Sequence, residues 1–571
     1  MTSTPPRREQ QGSRTRGTLK GRQVDPGARN EVRELIGDRP RRRDLLIEYL
    51  HLLQDRFGHL RAAHLAALAA EMRLALVEVY EVATFYHHFD VVREDDVAPP
   101  RITVRVCDSL SCAIAGADAL LERLPALLGG AIRVIPAPCV GRCAQAPVAV
   151  VGQNAIERAT VESLLAACGA EAIAPVVPDV LPFDEYRRQG GYRLLADCVA
   201  GRRDVEAVLA TISDAALRGL GGAGFPAGRK WQLVRSQPAP RLMAVNIDEG
   251  EPGTFKDRVF LETDPHRFLE GMLIAAWAAG VDEIYIYLRD EYHGCRVMLE
   301  RELAALLADP PCALPDIHLR RGAGAYICGE ESAMIESIEG KRGWPRLRPP
   351  YVAEVGLFGR PTLEHNLETL YWVRDILERG AEWFSGQGRR GRKGLRAFSV
   401  SGRVSKPGAY IAPAGTTLRE LIDEFCGGML SGHELYAYLP GGASGGILPA
   451  SMDDLPLDFG TLNEHGCFIG SAAVIVLSRQ DHAIDAARNL MRFFAHESCG
   501  QCTPCRVGTV KARSLIAADT WNRPLLDELL QVMEDASICG LGQAAPNPVR
   551  CVMRYFPQEL TTGTGESERT K

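Results

Sequence analysis

The sequence of 571 residues lacks any long apolar run. No stretch reaches the roughly 18 uninterrupted apolar residues that a membrane-spanning helix needs. The first thirty residues hold no apolar segment of the kind found in a signal peptide, so we expect a cytoplasmic protein without a membrane partner. The formal net charge of −6 is small for this length, which gives no reason to expect nucleic acid as a partner.

Cysteine is plentiful instead, with 16 residues. In a reducing compartment, cysteines at short spacing more often hold metal than form disulfides. The hydrophobic content of 46% supports several cores, because a single core stops growing near about 250 residues. We therefore expect a multidomain fold with α/β and α parts and metal sites.

Changes in pattern divide the chain into seven segments. Apolar residues recur at helical spacing in the second and sixth segments, strands alternate with helices in the third and fourth, and the fifth is rich in strands and turns. The predicted segments are a disordered tail 1–28, a helical unit 29–95, a small α/β domain 96–175, a larger α/β domain 176–392, a β-rich domain 393–482, a helical bundle 483–560 and a disordered tail 561–571.

Three cysteines near the C-terminus have the spacing C-x-x-C-x-x-C, in the segment ESCGQCTPCR. Thiolates at this spacing can hold three irons of a [4Fe–4S] cluster and leave the fourth iron to another ligand. Cys539, in SICGLG, is the predicted fourth ligand because glycines let backbone amides approach the cluster. Cys551 is the rival. The predicted ligands are Cys499, Cys502, Cys505 and Cys539.

Two further cysteine pairs follow predicted strands, Cys107 with Cys112 and Cys139 with Cys143. One pair for each iron suits a [2Fe–2S] cluster. A zinc site with the same four thiolates is the alternative, although structural zinc favours C-x2-C spacing. The other single cysteines are interpreted as core residues: Cys168, Cys198, Cys295, Cys312, Cys328, Cys426 and Cys467.

Three glycine-rich or acidic loops lie in the larger α/β domain. They are RGLGGAGFPAGRKW at 218–231, NIDEGEPGTFKDR at 246–258 and GAGAYICGEES at 322–332. A backbone without side chains can lie against a ring or a phosphate, and crowded carboxylates are costly unless a ligand or backbone donors use them. Each loop alone could be an ordinary turn. Together they favour a nucleotide-binding site.

These loops, together with ESCGQCTPCR, resemble the NADH-oxidising flavoprotein subunit of respiratory complex I, from about 186 to 556. Residues 31–168 resemble the thioredoxin-like [2Fe–2S] subunit of that complex, fused here into the same chain. Over its whole length the chain is most similar to the β (diaphorase) subunit of a soluble NAD-dependent molybdenum or tungsten formate dehydrogenase. The resemblance implies a Rossmann-like FMN domain, a β-grasp domain of SLBB type and the cofactors FMN, NAD, one [2Fe–2S] and one [4Fe–4S].

The resemblance also implies which residues bind the flavin and the nicotinamide nucleotide. They are Gly219, Gly221, Gly222, Phe225, Lys230, Asn246, Asp248, Glu249, Glu251, Gly329, Glu330, Glu331, Arg348, Tyr351, Asn366 and Thr369. The chain departs from the family pattern at Arg348, usually Lys, at His365, usually Asn, and at Tyr351, usually Phe. Arg is not a simple replacement for Lys, so nucleotide affinity is expected to differ.

The expected function is electron transfer between NAD and a partner subunit that carries molybdenum or tungsten and further iron–sulfur clusters and oxidises formate. FMN would carry the chemistry, so no catalytic acid, base or nucleophile is expected from the protein. Three alternatives remain: the diaphorase of an NAD-reducing hydrogenase or a fused complex I module, an electron-transfer scaffold with an empty flavin site, and a zinc-bearing interaction protein.

Overall fold

The computed structural model describes residues 22–560, and the predicted tail 561–571 lies outside this range. Of the predicted tail 1–28, residues 1–21 lie outside it as well. The first helix begins at Pro26, inside that predicted tail. Asp25 explains the difference, because its side chain accepts a hydrogen bond from the Ala28 N–H (2.7 Å) and so caps the helix. The helix therefore includes residues 26–28, which composition assigned to the tail.

Four helices and a small parallel ladder of two strands make up the N-terminal unit. Leucine and alanine recur on the buried faces of these helices, as their helical spacing predicts. The elements are α1 Pro26–Ile36, α2 Leu46–Phe57, β1 Leu60–Arg61, α3 Ala62–Met72, α4 Leu76–Phe85 and β2 Val91–Val92.

A four-stranded sheet in the order β4-β3-β5-β6 follows. Its elements are β3 Ile102–Cys107, α5 Leu110–Ile114, α6 Ala117–Leu128, β4 Ile132–Ala137, β5 Ala149–Val151, β6 Asn154–Ile156 and α7 Val161–Gly169. Strands β3 and β4 are parallel, with Cys107 opposite Ala137 in the register. Both strands therefore end at the same edge, and the loops that carry the four predicted cysteines meet there.

The larger α/β domain has four parallel strands in the order β10-β7-β8-β9. Helices cover both faces, so the central strand β7 is buried along its whole length. The elements are α8 Phe183–Arg188, α9 Arg193–Val199, α10 Val205–Asp214, α11 Ala227–Arg235, β7 Leu242–Ile247, α12 Lys256–Thr263, α13 Pro265–Ala279, β8 Glu283–Leu288, α14 His293–Ala308, β9 Asp316–Arg321, α15 Glu331–Ile338, β10 Thr362–Asn366, α16 Leu367–Tyr371, α17 Val373–Arg379 and α18 Ala381–Ser385.

A mixed five-stranded sheet and a helical bundle complete the chain. The sheet has the order β12-β11-β15-β13-β14. Strands β11 and β15, which are its first and last strands along the chain, are neighbours in the sheet and run parallel. The elements are β11 Leu395–Gly402, β12 Gly408–Pro413, α19 Leu418–Glu420, β13 Leu435–Leu439, β14 Leu448–Pro449, β15 Ala473–Ser478, α20 Ala483–Glu497, α21 Thr503–Ile516, α22 Arg523–Ala536, α23 Gly540–Ala544 and α24 Asn547–Tyr555.

One hydrophobic cluster runs through the N-terminal helices, the five-stranded sheet and the C-terminal bundle. A second cluster fills the larger α/β domain, and the small four-stranded sheet has its own. Between residues 22 and 560, no helix combines the length and the apolar character needed to cross a membrane.

Candidate cofactor site

The carboxyl ends of β7 and β10 place two asparagines side by side. Asn246 and Asn366 are the last aligned pair of these parallel strands. The Asn246 side-chain amide donates to the Gly329 carbonyl (2.9 Å), and its side-chain oxygen accepts from the Asp248 N–H (3.0 Å). In open parallel sheets this edge is where ligands bind. The amide thus ties the acidic loop to the glycine–glutamate loop.

The glycine loop closes over this edge. Its ends are joined by a bond from the Gly219 N–H to the Phe225 carbonyl (2.8 Å), and the Leu220 N–H donates to the Thr369 hydroxyl (2.9 Å). A Cβ on Gly221 would stand 1.9 Å from the Asn366 side-chain oxygen, so a larger residue does not fit there. The glycine lets this backbone lie directly on the asparagine.

The residue before Asn366 has a structural role. His365 is buried, and its Nε2 accepts a hydrogen bond from the Trp231 indole N–H (2.8 Å). Burial lowers the pKa of His365 well below its usual value, so the ring is neutral. Because side chains alternate along a strand, His365 points to the opposite face from Asn366. The departure from the family pattern therefore leaves the cavity lining unchanged.

The three crowded carboxylates of the acidic loop have different surroundings. Burial raises the pKa of Asp248 well above its usual value, and among the described residues its Oδ2 has no hydrogen-bond partner. Glu249 accepts from the Asp257 and Arg258 N–H groups (2.8 and 3.2 Å) at the start of α12. Backbone donors thus compensate one carboxylate, while Asp248 keeps an oxygen available for a ligand.

Glu251 joins the acidic loop to the five-stranded sheet. Its Oε1 accepts from the Ser444 N–H (2.8 Å) and the Ser444 hydroxyl (2.6 Å), and its other oxygen accepts from the Tyr326 hydroxyl. Burial raises the pKa of Glu251. Ser444 belongs to the glycine-rich turn PGGASGG, so that turn contributes to the site.

At the rim, Glu330 caps α15 by accepting from the Ser332 and Ala333 N–H groups (3.0 and 2.9 Å). The Arg348 guanidinium contacts both Glu330 and Glu331, the latter at 2.9 Å. Lys230 donates instead to the Glu364 carbonyl (3.1 Å). Two aromatic residues of the predicted nucleotide site, Phe225 and Tyr351, are 38% and 56% exposed. Exposed rings of this kind offer stacking faces to a planar ligand.

A cavity of about 1150 Å³ opens at this edge. Small-molecule sites typically measure roughly 300–1,000 Å³, so there is room for a flavin nucleotide and a second ligand. The predicted residues that line it are Gly221, Gly222, Asp248, Glu249, Glu251, Gly329, Glu330 and Asn366. The other predicted residues support its loops or lie outside its lining: Gly219, Phe225, Lys230, Asn246, Glu331, Arg348, Tyr351 and Thr369.

Sequence reasoning missed many further lining residues, among them Thr254, Tyr326, Ser444 and Ser471. The glycines of PGGASGG were the available signal for Ser444. The lining fits FMN because three kinds of group face the same space. They are a bare glycine backbone, the side-chain amide of Asn366 and Asp248 Oδ2, which has no hydrogen-bond partner within residues 22–560. A backbone without side chains, beside groups that can form hydrogen bonds, suits the flat and polar isoalloxazine ring of FMN.

The four N-terminal cysteines come together as predicted from their spacing. All four are buried, and the sulfurs of Cys139 and Cys143 are 3.2 Å apart. Contact with the Cys112 thiol, then with the Cys139 thiol, raises the pKa of Cys107 well above its usual value. Contact with Cys107 and Cys143 lowers the pKa of Cys139. Four thiols this close are the donor set of a metal or cluster site.

Two arginines of the α/β domain hold this cysteine loop against the acidic loop. Buried Arg289 donates to the Cys139 carbonyl (2.7 Å) and to the Glu249 carbonyl (2.5 Å). Arg258, the last residue of the acidic-loop motif, donates to the Gly141 carbonyl (2.8 Å). Both contacts with the cysteine loop span more than 100 residues of sequence, so sequence reasoning missed them.

The C-terminal cysteines lie around the starts of α21 and α23. Burial raises the pKa of Cys539 to about 12 and that of Cys505 to about 11, and the nearby Cys499 thiol adds to both increases. A Cβ on Gly542 would stand 2.8 Å from the Cys505 Cβ, so this glycine lets α23 approach α21 closely. The backbone of Leu541 also donates toward the Cys539 sulfur.

The rival ligand, Cys551, lies elsewhere. Its sulfur is 3.6 Å from the sulfur of Cys467, and both are buried beside Gly446. Cys539 is therefore the better placed fourth cysteine. The [4Fe–4S] loop also touches the α/β domain, because the Trp344 indole N–H donates to the Cys499 carbonyl (3.1 Å).

Four family models match successive parts of the chain. Residues 32–169 match the thioredoxin-like [2Fe–2S] ferredoxin family, and 212–375 match the Nuo51 FMN-binding domain. Residues 398–448 match the SLBB domain, and 485–563 match the NADH-ubiquinone oxidoreductase-F iron–sulfur binding region. The predicted multidomain fold and its cofactors are confirmed, and the first match favours a cluster over zinc.

The chain is 39% identical over 399 residues to an NADH-quinone oxidoreductase F subunit, F 2, of Rhizobium meliloti, covering 67% of this chain and 94% of that protein. It is 41% identical over 372 residues to the mitochondrial NADH dehydrogenase flavoprotein 1 of Dictyostelium discoideum, covering 62% and 78%. A crystal structure of an NAD+-reducing [NiFe]-hydrogenase aligns with a TM-score of 0.79 and 34% identity, over 91% of this chain and 92% of that one. The chain therefore belongs to the family of NADH-quinone oxidoreductase F subunits, which are NAD(H)-dependent flavin and iron–sulfur oxidoreductases.

Proposed function

We propose that this chain is the diaphorase subunit of a soluble, cytoplasmic NAD-dependent formate dehydrogenase. In this role it receives electrons from formate oxidation in a molybdenum- or tungsten-containing partner and uses them to reduce NAD+, reversibly. The observation that carries the electron-transfer role is the direct contact, through Arg289, between the loop of Cys139 and the acidic loop at the cavity. The formate assignment rests on the whole-length resemblance, in which both modules are fused.

We assign the ligand residues as follows. The [2Fe–2S] cluster is held by Cys107, Cys112, Cys139 and Cys143, and the [4Fe–4S] cluster by Cys499, Cys502, Cys505 and Cys539. FMN, when bound, supplies the conversion between the two-electron chemistry of nicotinamide and the one-electron chemistry of clusters. The residues that would hold the flavin are Gly219, Gly221, Gly222, Lys230, Asn246, Asp248, Glu249, Gly329, Glu330, Asn366 and Thr369.

The protein's own task is to bind and orient. Phe225 and Tyr351 offer their exposed faces to the adenine, while Glu251 and Glu331 face the ribose and nicotinamide. Glu251 is fixed for this by two bonds from Ser444. Arg348 is already engaged by Glu330 and Glu331, so its planar guanidinium is held in one orientation at the rim. No side chain is assigned as a catalytic acid, base or nucleophile.

A second candidate is the diaphorase subunit of an NAD-reducing hydrogenase, favoured by the alignment with the hydrogenase structure over 91% of this chain. A fused NADH-dehydrogenase module of complex I uses the same sites. The partner separates these functions. Native mass spectrometry and metal analysis of the complex purified from its source should find molybdenum or tungsten and formate-dependent NAD+ reduction.

Nickel in the partner together with hydrogen-dependent NAD+ reduction would overturn the formate assignment in favour of the second candidate. The isolated chain, reconstituted with its cofactors, should oxidise NADH with ferricyanide and show no activity with formate. Formate oxidation by the isolated chain would contradict the division of labour between the subunits.

A further inference from the structure

Two histidines and a glutamate converge on the surface between the N-terminal helical unit and the C-terminal bundle. His87 follows α4, and His496 and Glu497 are the last two residues of α20. Their candidate ligand atoms all lie within 4.8 Å of one another. The two imidazole rings have centroids 4.3 Å apart.

Backbone contacts and one side-chain hydrogen bond fix this arrangement. The His87 N–H donates to the Gly324 carbonyl (3.3 Å), and Glu497 Oε2 accepts from the Tyr326 N–H (3.0 Å). Glu497 Oε1 then faces His496 Nδ1 at 2.8 Å and His87 Nδ1 at 3.8 Å. The carboxylate is therefore held in place before any ligand arrives.

The three side chains differ in their exposure to solvent. The Glu497 side chain is only 2% exposed, whereas those of His87 and His496 are 44% and 52% exposed. Solvent reaches the imidazoles from one side while the carboxylate closes the other. A cation entering from solvent would find three protein ligands and keep room for water.

We propose that His87, His496 and Glu497 form a surface site for a divalent cation of the Zn²⁺, Ni²⁺ or Cu²⁺ type. Imidazole suits these metals, and two histidines with one glutamate are a known ligand set for zinc. Metal–nitrogen and metal–oxygen bonds measure about 2.0–2.2 Å, which three atoms already this close reach through small rotations of exposed side chains. Calcium and magnesium prefer oxygen ligands and are expected to bind poorly.

A second group of possible metal ligands lies in the same region but differs in its charge. His51, His88 and Asp290 also converge within 4.8 Å. There, however, the Arg321 guanidinium donates to Asp290 Oδ1 (2.6 Å), and Asp290 Oδ2 lies 2.6 Å from His88 Nδ1. A fixed cation already neutralises that carboxylate and would repel a metal ion. We assign the site only to the surface group.

Occupancy would join two segments of the chain, one of which already contacts a third. Glu497 stands two residues before Cys499, and its second oxygen holds Tyr326, whose hydroxyl contacts Glu251 in the cavity. A cation would link the loop after α4 to the end of α20. We expect the melting temperature of the full chain to rise as Zn²⁺ is added up to about one ion per chain.

The test uses the untagged full chain with its flavin and clusters in place. Equilibrium dialysis with Zn²⁺ should find one added ion per chain, and substoichiometric Cu²⁺ should give an electron paramagnetic resonance spectrum with coupling to two nitrogens. His87→Ala and His496→Ala should each weaken Zn²⁺ binding at least about tenfold. His482→Ala is the matched control, because His482 is exposed at the other end of the same helix.

Flavin and iron content of each variant guard against misfolding, and His87→Gln and His496→Gln serve as milder changes. Zn²⁺ affinity that is unchanged in variants retaining their cofactors would overturn the proposal. So would a Cu²⁺ spectrum without nitrogen coupling, because the ion would then sit elsewhere.

Discussion

The two cysteine groups of this chain differ in how the fold encloses them. Cys107, Cys112, Cys139 and Cys143 are at most 4% exposed and are held from outside by arginines of the α/β domain. Of the C-terminal group, only Cys505 is buried, while Cys499, Cys502 and Cys539 are partly exposed. The first group is closed between domains, and the second opens toward solvent. The difference predicts that the first depends on inter-domain contacts and that the second is the one accessible to a partner.

The largest expected effect on one cysteine group alone comes from Arg289→Ala. It removes bonds to the Cys139 and Glu249 carbonyls, and hydrogen bonds to charged groups contribute about 1.5–3 kcal/mol each. We expect the [2Fe–2S] signal in electron paramagnetic resonance to be largely lost after anaerobic reduction with dithionite, while the [4Fe–4S] signal stays.

The control is Arg101→Ala, because the Arg101 side chain is 74% exposed and pairs with the exposed Glu171 on the small α/β domain. Such exposed pairs contribute about 0–1 kcal/mol. Equal loss of both cluster signals in Arg289→Ala would contradict the separate support of the two groups.

A smaller effect is expected from Gly221→Ala, which tests the site between the two groups. The added Cβ would stand 1.9 Å from Asn366, and forcing an extra methyl into a packed site costs about 1–3 kcal/mol. FMN content, measured by fluorescence after denaturation, should fall while iron content stays at the wild-type level. Gly130→Ala is the control, because in the described part of the chain no atom beyond the adjoining residues comes within 4 Å of the added methyl group. Full flavin content in Gly221→Ala would contradict the placement of the flavin.

A chelator can test whether the difference in exposure controls how fast each cluster is lost. We expect the [4Fe–4S] absorbance to be lost at least about tenfold faster than that of the [2Fe–2S] cluster, equivalent to an opening free energy lower by about 1.4 kcal/mol. Timed iron release together with cluster-specific spectra measures both rates. Equal rates, or faster loss from the buried group, would show that exposure does not govern access.

The smallest effect concerns Asp248 in the flavin-free chain. Its pKa is raised in the folded state, so the folded protein binds the proton more tightly and loses stability as pH rises above the unfolded value of about 3.9. The melting temperature of Asp248→Asn relative to wild type should therefore increase as pH rises through and above that value. Asp38→Asn, at an exposed position, is the control substitution. A pH-independent difference would contradict the effect of burial on the pKa of Asp248.

The sequence predicted what depends on local patterns. Cysteine spacing found both groups because their loops follow strands or begin helices, and the parallel register of β3 and β4 then brings the two pairs together. The glycine and acidic loops were also visible, since close backbone approach favours glycine and crowded carboxylates stand out in a sequence. Eight of the residues implied by the family resemblance line the cavity.

Contacts between distant segments could not be predicted in the same way. Arg289 contacts a residue 150 positions away, and Ser444 reaches Glu251 across 193 positions. Neither side chain belongs to a periodic pattern, because its role depends on how whole domains pack. His365, where the family pattern has Asn, packs against Trp231, a contact that the strand pattern alone does not identify.

The most direct test of the central claim is anaerobic titration of the reconstituted full chain with NADH, followed by its visible spectrum and its flavin and iron content. We predict one FMN and six irons per chain, and bleaching of the flavin absorbance by stoichiometric NADH. A chain that binds iron but no flavin, or whose flavin absorbance is unchanged by NADH, would contradict the account.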